Sequence, residues 1–192
     1  NIQTLDDLSG HTVSIGAEES GTERNATQIL EFAGMPSSLV ATKNLDYIEA
    51  TKELKAGDID AFFCTAGLTT TVIDELSKEC DIRLIPLTDT VISKMLESSL
   101  AYTSEVIPAG TYTGQTTDIN TIGVKSVLIT KADVSDDTIE QLTSLLFEKE
   151  NEISYSNSLK LELTYDFATD DIPIPFHDGA KRYYKACGYS TN

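Results

Sequence analysis

The sequence predicts an α/β fold built on a mainly parallel sheet, and three observations carry that prediction. The apolar stretch Val13-Ser14-Ile15-Gly16 reads as a buried strand, and it runs through the small, hydroxyl-bearing turn Ala17-Glu18-Glu19-Ser20-Gly21-Thr22 into helical rhythm from Asn25 to Leu30. Further short apolar runs follow, separated by segments of helix length, which is the pattern of βαβ units. Gly34 with Pro36, and then Gly57, stand where the first two helices should stop.

Taken in order, residues 4–10 read as a short helical turn ended by Gly10, which feeds a strand over 12–16. Helix one spans 23–32. A second helix, roughly 46–56, carries Ile48 and Leu54 on one face. Residues 58–63 form a buried strand with Gly67 just beyond its carboxyl end. A third helix over 70–80 leads to a third strand over 82–87, and 91–102 reads as a fourth helix. Ile107-Pro108-Ala109-Gly110-Thr111-Tyr112-Thr113-Gly114-Gln115 is a turn-rich segment with one aromatic. A strand over 121–130 precedes a helix over 138–149, opened by Asp136-Asp137 and basic at its end, as the helix dipole prefers. The remainder, with Pro173 and Pro175, is irregular and then briefly helical at Gly179-Ala180-Lys181-Arg182-Tyr183-Tyr184.

Composition narrows the functions. The 192 residues are 40% hydrophobic and 23% charged, enough for a real core. A net charge of −17 repels phosphate backbones, which argues against nucleic acid and anionic membranes as partners. No apolar run approaches the about 20 residues that span a bilayer. The opening Asn1-Ile2-Gln3, with neither an initiator Met nor a leader, reads as a processed or truncated product. Cys64, Cys80 and Cys187 form no C-x-x-C pair and no zinc spacing, and their odd number leaves at least one unpaired. Cys64, at the end of Ala61-Phe62-Phe63-Cys64, reads as a small buried hydrophobe. His11 and His177 stand far apart, so a metal site or a histidine-activated nucleophile has little to build from, and no cofactor motif is present.

What the pattern does offer is an anion receptor. The first amides of a helix lack intrahelical partners and sit at the positive end of the helix dipole. Ser20, Gly21 and Thr22 occupy such a helix start, although Ser20 or Thr22 can equally serve as a plain N-cap. In open α/β sheets ligands lie beyond the carboxyl ends of the strands. The loop after Phe63, with Thr65 and Gly67, should therefore open on the same edge as Ser20-Gly21-Thr22. Tyr112 either leans over that edge as an aromatic wall with a hydroxyl donor or packs as part of a hinge. Arg24 should swing into solvent, and Arg83 should pair with a carboxylate. Asp58 and Asp60 share a strand face, but at the end remote from the cleft, so binding rather than catalysis is expected.

The stretches VSIGAEESGTERNATQIL, GDIDAFFCTAG, IPAGTYTGQ and PFHDGAKRYYKACG, in that order and over nearly the whole chain, resemble the solute-binding proteins of TAXI-type TRAP transporters, the TRAP-associated extracytoplasmic immunogenic family. The resemblance implies a type II periplasmic-binding-protein fold, in which two α/β lobes close on a small carboxylate such as glutamate or a related acid. It also implies TRAP membrane permease subunits as partners and a periplasmic or otherwise extracytoplasmic address, with or without a lipid anchor ahead of Asn1. Ser20, Gly21 and Thr22 then match the ligand loop of lobe two. Residues 10–132 correspond to that lobe, 133–192 to a return segment that packs on lobe one, and 1–9 to a linker from a lobe one whose N-terminal part is lacking. On this view Leu159, Leu161, Leu163, Tyr165, Phe167, Phe176, Tyr183 and Tyr184 form an apolar patch that calls for self-association or for complementation by the missing fragment. The same fold also serves as the ligand-sensing domain of receptors, and a surface-exposed antigenic interaction protein is the remaining alternative.

Overall fold

The computed structural model describes residues 2–149 and 163–191. The chain divides into two compact units, Asn1–Gly123 and Val124–Asn192.

The first unit is built on a sheet of three parallel strands in the order β2-β1-β3, with β1 at Thr12–Ser14, β2 at Ala41–Lys43 and β3 at Ala61–Phe62. The expected α/β class with parallel pairing is present. Val13 pairs with Thr42 on one side and Ala61 on the other, and as the middle strand β1 is sealed on both faces: Val13 and Ser14 are both fully buried. Helix α1 (Gly21–Phe32) links β1 to β2, and α2 (Tyr47–Ala56) links β2 to β3. The chain thus steps out from β1 to β2 and then crosses to the far side of β1, so the winding reverses between the carboxyl ends of β1 and β3. Ala26, Ile29 and Leu30 form the buried stripe of α1, and they pack with Leu8 and Val13 and with Met95 of α4 (Asp89–Ser98) into one core. Helix α3 (Thr71–Glu79) buries Ile73 and Leu76.

Several expectations are corrected. Residues 82–87 form no strand: Pro86 has no N–H to give to a ladder, and among the described residues Leu87 alone bonds across, to the Asn120 carbonyl at 2.9 Å. Helix α4 ends at Ser98, and Tyr102 opens a strand instead, β4 (Tyr102–Ile107), which pairs with β5 (Ile119–Val124) in a separate two-stranded sheet. The apolar run Val127-Leu128-Ile129, expected to continue the strand over 121–130, lies beyond β5, exposed and with no strand partner among the described residues. Ile48 and Leu54 do not share a face, because six residues are about 600° of helical rotation. Ile48 is 78% exposed and Ala50, four residues before Leu54, is the buried member of α2.

The second unit holds α5 (Asp136–Glu148), α6 (Tyr165–Thr169) and α7 (Asp178–Ala186). Helices α5 and α7 lie start to start. Gly179 sits so close to the Asp136 carbonyl that a Cβ would overlap it, and Arg182 reaches Asp137 at 2.6 Å and Glu140 at 3.0 Å. The His177 Nδ1 caps α7 by accepting the Gly179 N–H at 3.1 Å. Phe147 stacks on Tyr165 and Tyr183 with ring centroids 4.5 and 5.6 Å apart and meets Tyr184 edge-on at 6.0 Å. The aromatic residues expected to form a bare patch therefore cover one another, Phe176 included through Tyr184, while Phe167 stays half exposed beneath the Lys125 ammonium. Leu159 and Leu161 lie outside the described residues.

Candidate functional site

Three loops leave the carboxyl edge of the parallel sheet, and side chains tie them to one another. After β1 the chain turns sharply at Gly16, whose φ of +100° favours glycine, and a Cβ there would stand 2.8 Å from the Cβ of Thr22. The turn thus folds back against the first turn of α1. Ser20 caps that helix by accepting the Glu23 N–H at 3.1 Å. The Glu23 carboxylate in turn accepts the Glu19 N–H at 2.7 Å and one hydrogen of the Asn44 amide at 2.8 Å. Asn44, from the loop after β2, gives its other hydrogen to the Gly16 carbonyl at 3.0 Å.

Tyr47, the first residue of α2, joins all three loops. Its hydroxyl lies 2.8 Å from Thr22 Oγ1, donates to the Thr65 carbonyl at 2.9 Å and accepts the Thr65 N–H at 3.0 Å. A second phenol acts from β4: Tyr102 donates to Asn25 Oδ1 at 2.9 Å, and Asn25 Nδ2 donates to Thr65 Oγ1 at 3.3 Å. With its oxygen accepting from Asn25, the Thr65 hydroxyl keeps its hydrogen for another acceptor.

The structure brings four of the six expected residues to this edge. Ser20, Gly21 and Thr22 stand where the β1 loop enters α1 and Thr65 on the β3 loop, and Thr22 and Thr65 meet at the Tyr47 hydroxyl. Their roles divide. Ser20 is the cap of α1, and Thr22 is buried with its hydroxyl engaged by Tyr47. Gly21 has an ordinary helical backbone and open space around it, so neither turn strain nor close packing requires a glycine there. The backbone N–H groups of Gly21 and Thr22 have no acceptor among the described residues. Gly67 is exposed on the β3 loop. Tyr112 is buried, and its hydroxyl donates to the Leu68 carbonyl and accepts the Thr70 N–H at 3.4 Å, so it clasps the loop ahead of α3 rather than offering a free donor. Burial holds the Tyr112 phenol above its ordinary pKa. Around it Gln115 donates to the carbonyls of Ile107, Pro108 and Thr117, which makes the IPAGTYTGQ stretch a self-bonded knot.

Arg24 is exposed, as expected. Arg83 is exposed too and has no ion pair among the described residues, against the expectation of a carboxylate partner; the apolar strand that was to hold it is absent. Asp60 instead receives the Thr12 N–H at 2.9 Å and pairs with His11 at 3.2 Å. Cys64 is half buried, and burial pushes its thiol up to about 11, so it stands protonated near neutral pH. All three cysteines are free. No group of three or more metal-ligating side chains occurs among the described residues.

Gly16, Asn25, Asn44 and Tyr47 were not legible as site residues. The signal for two of them was β2: without a strand at Ala41–Lys43 there is no third loop for Asn44 and Tyr47 to stand on. Chemically, the edge carries two amides without an acceptor among the described residues, at the start of α1, and a hydroxyl at Thr65.

The model of one protein family, the NMT1-like family, matches residues 1–188. The family is periplasmic-binding-like, and the mixed α/β fold agrees with it; by class, the match makes this a solute-binding domain. Such proteins are typically extracytoplasmic, and no helix among the described residues is long and apolar enough to cross a membrane.

Proposed function

The chain belongs to the NMT1-like family, and on that premise we propose that it is the extracytoplasmic solute-binding component of a TRAP-type transporter, holding a small carboxylate such as glutamate or a related acid for the membrane permease subunits. The observation that carries the ligand class is the pair of unclaimed amides, Gly21 and Thr22, at the start of α1. Amides at a helix start hold a carboxylate without a basic side chain, which suits a protein whose net charge of −17 offers no long-range attraction to an anion. The Thr65 hydroxyl and the Gly67 backbone contribute from the loop after β3, and Ser20 fixes the helix start. Tyr112 acts from behind, by holding that second loop. In this reading residues 10–132 are the second lobe of a type II binding protein, 133–192 the return segment and 1–9 the linker, and the ligand lies in an interlobe cleft. The chemistry is binding, not catalysis.

Calorimetry with glutamate, glutamine, 2-oxoglutarate and succinate tests the proposal. The expected outcome is saturable heat with at least one acid, lost when both Ser20→Ala and Thr65→Val are introduced. Silence with every acid, together with a clear response to a sugar or a cation, would refute the carboxylate assignment.

A further inference from the structure

We propose that Tyr47 is the positioning residue of this edge, a single phenol that holds the loops after β1 and β3 at one spacing; the proposal rests on the binding reading above. A phenol has one hydrogen to give and two lone pairs to accept with. Tyr47 gives its hydrogen to the Thr65 carbonyl at 2.9 Å and accepts the Thr65 N–H at 3.0 Å. The remaining contact, 2.8 Å to Thr22 Oγ1, is then a bond in which Thr22 donates. The hydroxyl is thus engaged from both loops, and the Cys64 thiol on the second of them interacts with it as well.

That arithmetic fixes the polarity of the edge. The Thr22 hydroxyl is committed to Tyr47, and so are the backbone N–H and C=O of Thr65, so none of these is open to a ligand. The donors left without an acceptor here include the two amides of α1 and the hydrogen of the Thr65 hydroxyl, whose oxygen already accepts from Asn25. Residues 65–69 are exposed, and side chains from elsewhere tie this loop at Thr65, through Tyr47 and Asn25, and at Leu68 and Thr70, through Tyr112. Without the Tyr47 hydroxyl the near end of this loop loses the bonds to both the N–H and the C=O of Thr65, and Thr65 is no longer tied through the phenol to Thr22 at the start of α1. A site held by preformed bonds loses affinity when its supports are removed, even where the ligand touches none of them.

Tyr47→Phe keeps the ring and removes the hydroxyl. In the ligand-free protein, amide hydrogen exchange at Thr65 should accelerate about tenfold or more, because its acceptor is gone. The thermal midpoint should move by no more than about 4 °C. Affinity for whichever of glutamate, glutamine, 2-oxoglutarate or succinate binds the wild type should fall about tenfold. Thr22→Val removes one arm of the same clasp, so the double variant should bind no more weakly than Tyr47→Phe alone, a non-additivity that general destabilisation does not produce. Unchanged exchange at Thr65 in Tyr47→Phe overturns the proposal, and so does faster exchange with unaltered affinity. If no acid binds the wild type, the carboxylate reading falls, and the exchange measurement still decides the clasp.

Discussion

At Gly16 and Gly21 the same residue type does opposite work, five positions apart. Gly16 needs its missing Cβ twice, for a φ of +100° and for the 2.8 Å approach to Thr22, whereas Gly21 has a right-handed helical backbone with nothing within 4 Å of where a Cβ would be. Gly16→Ala should therefore cost about 2 kcal/mol or more of stability. Gly21→Ala should leave stability unchanged or raise it by about 0.5 kcal/mol, because it removes freedom from the unfolded chain only. Urea unfolding of both variants checks this, and a Gly16→Ala protein as stable as the parent would show that the turn is not held as described. From the sequence alone the weight falls on Gly21, since Ser20-Gly21-Thr22 looks like a ligand turn and a glycine at the end of a strand looks ordinary. Positive φ is a property of the folded path and leaves no mark on neighbouring residue types. Tyr112 was ambiguous for a related reason: whether a phenol is free depends on which carbonyls come within its reach.

Among the elements, helices were legible and strands much less so, and the difference is physical. A helix is closed by bonds within its own segment, so its signals are local. Ser20, Asp46, Thr88 and Ser135 each cap the helix that follows by accepting an amide of its first turn. A strand is defined by its partner. Ala41-Thr42-Lys43 is short and carries no fully buried side chain, yet it is β2 because β1 lies beside it, while the far more apolar Val127-Leu128-Ile129 pairs with no strand among the described residues. The caps permit a direct comparison. Ser20 accepts the Glu23 N–H, but Thr70, in the same position before α3, makes no side-chain cap bond. Ser20→Ala should thus destabilise by about 1 kcal/mol and Thr70→Ala by less than about 0.5 kcal/mol. Thermal unfolding of the two variants measures the gap, and equal losses would mean that the Ser20 hydroxyl does not act as a cap.

At the scale of the whole molecule charge dominates, and it was fully legible from composition. Acidic residues outnumber basic ones 31 to 14. Several of the basic side chains stand in surface pairs, such as Lys43 with Glu53, Lys55 with Glu79 and Lys78 with Asp74. Exposed pairs of this kind contribute little individually. Repulsion among the unpaired carboxylates is the larger effect, and folding brings those carboxylates closer together. Near pH 7.5, raising NaCl from about 20 mM to about 300 mM contracts the screening length severalfold and should raise the thermal midpoint, since it relieves more repulsion than attraction. Acid supplies the control, because the sequence pI is about 4.3 and near that pH the net repulsion vanishes. Two carboxylates that help to hold the fold remain charged there. Asp7, which accepts the Gln3 and Thr4 N–H groups, and Asp60, which accepts the Thr12 N–H, are both held below the usual carboxylate pKa by these bonds. A folded pKa below the unfolded one means that their stabilisation is complete above the unfolded value and is lost only as pH falls through the folded one. Near the pI the fold should therefore persist while its salt dependence shrinks towards zero or reverses, as only the surface pairs are left to screen. A midpoint that falls with salt at pH 7.5, or an equal rise at both pH values, would show that carboxylate repulsion is not what limits the stability of this protein.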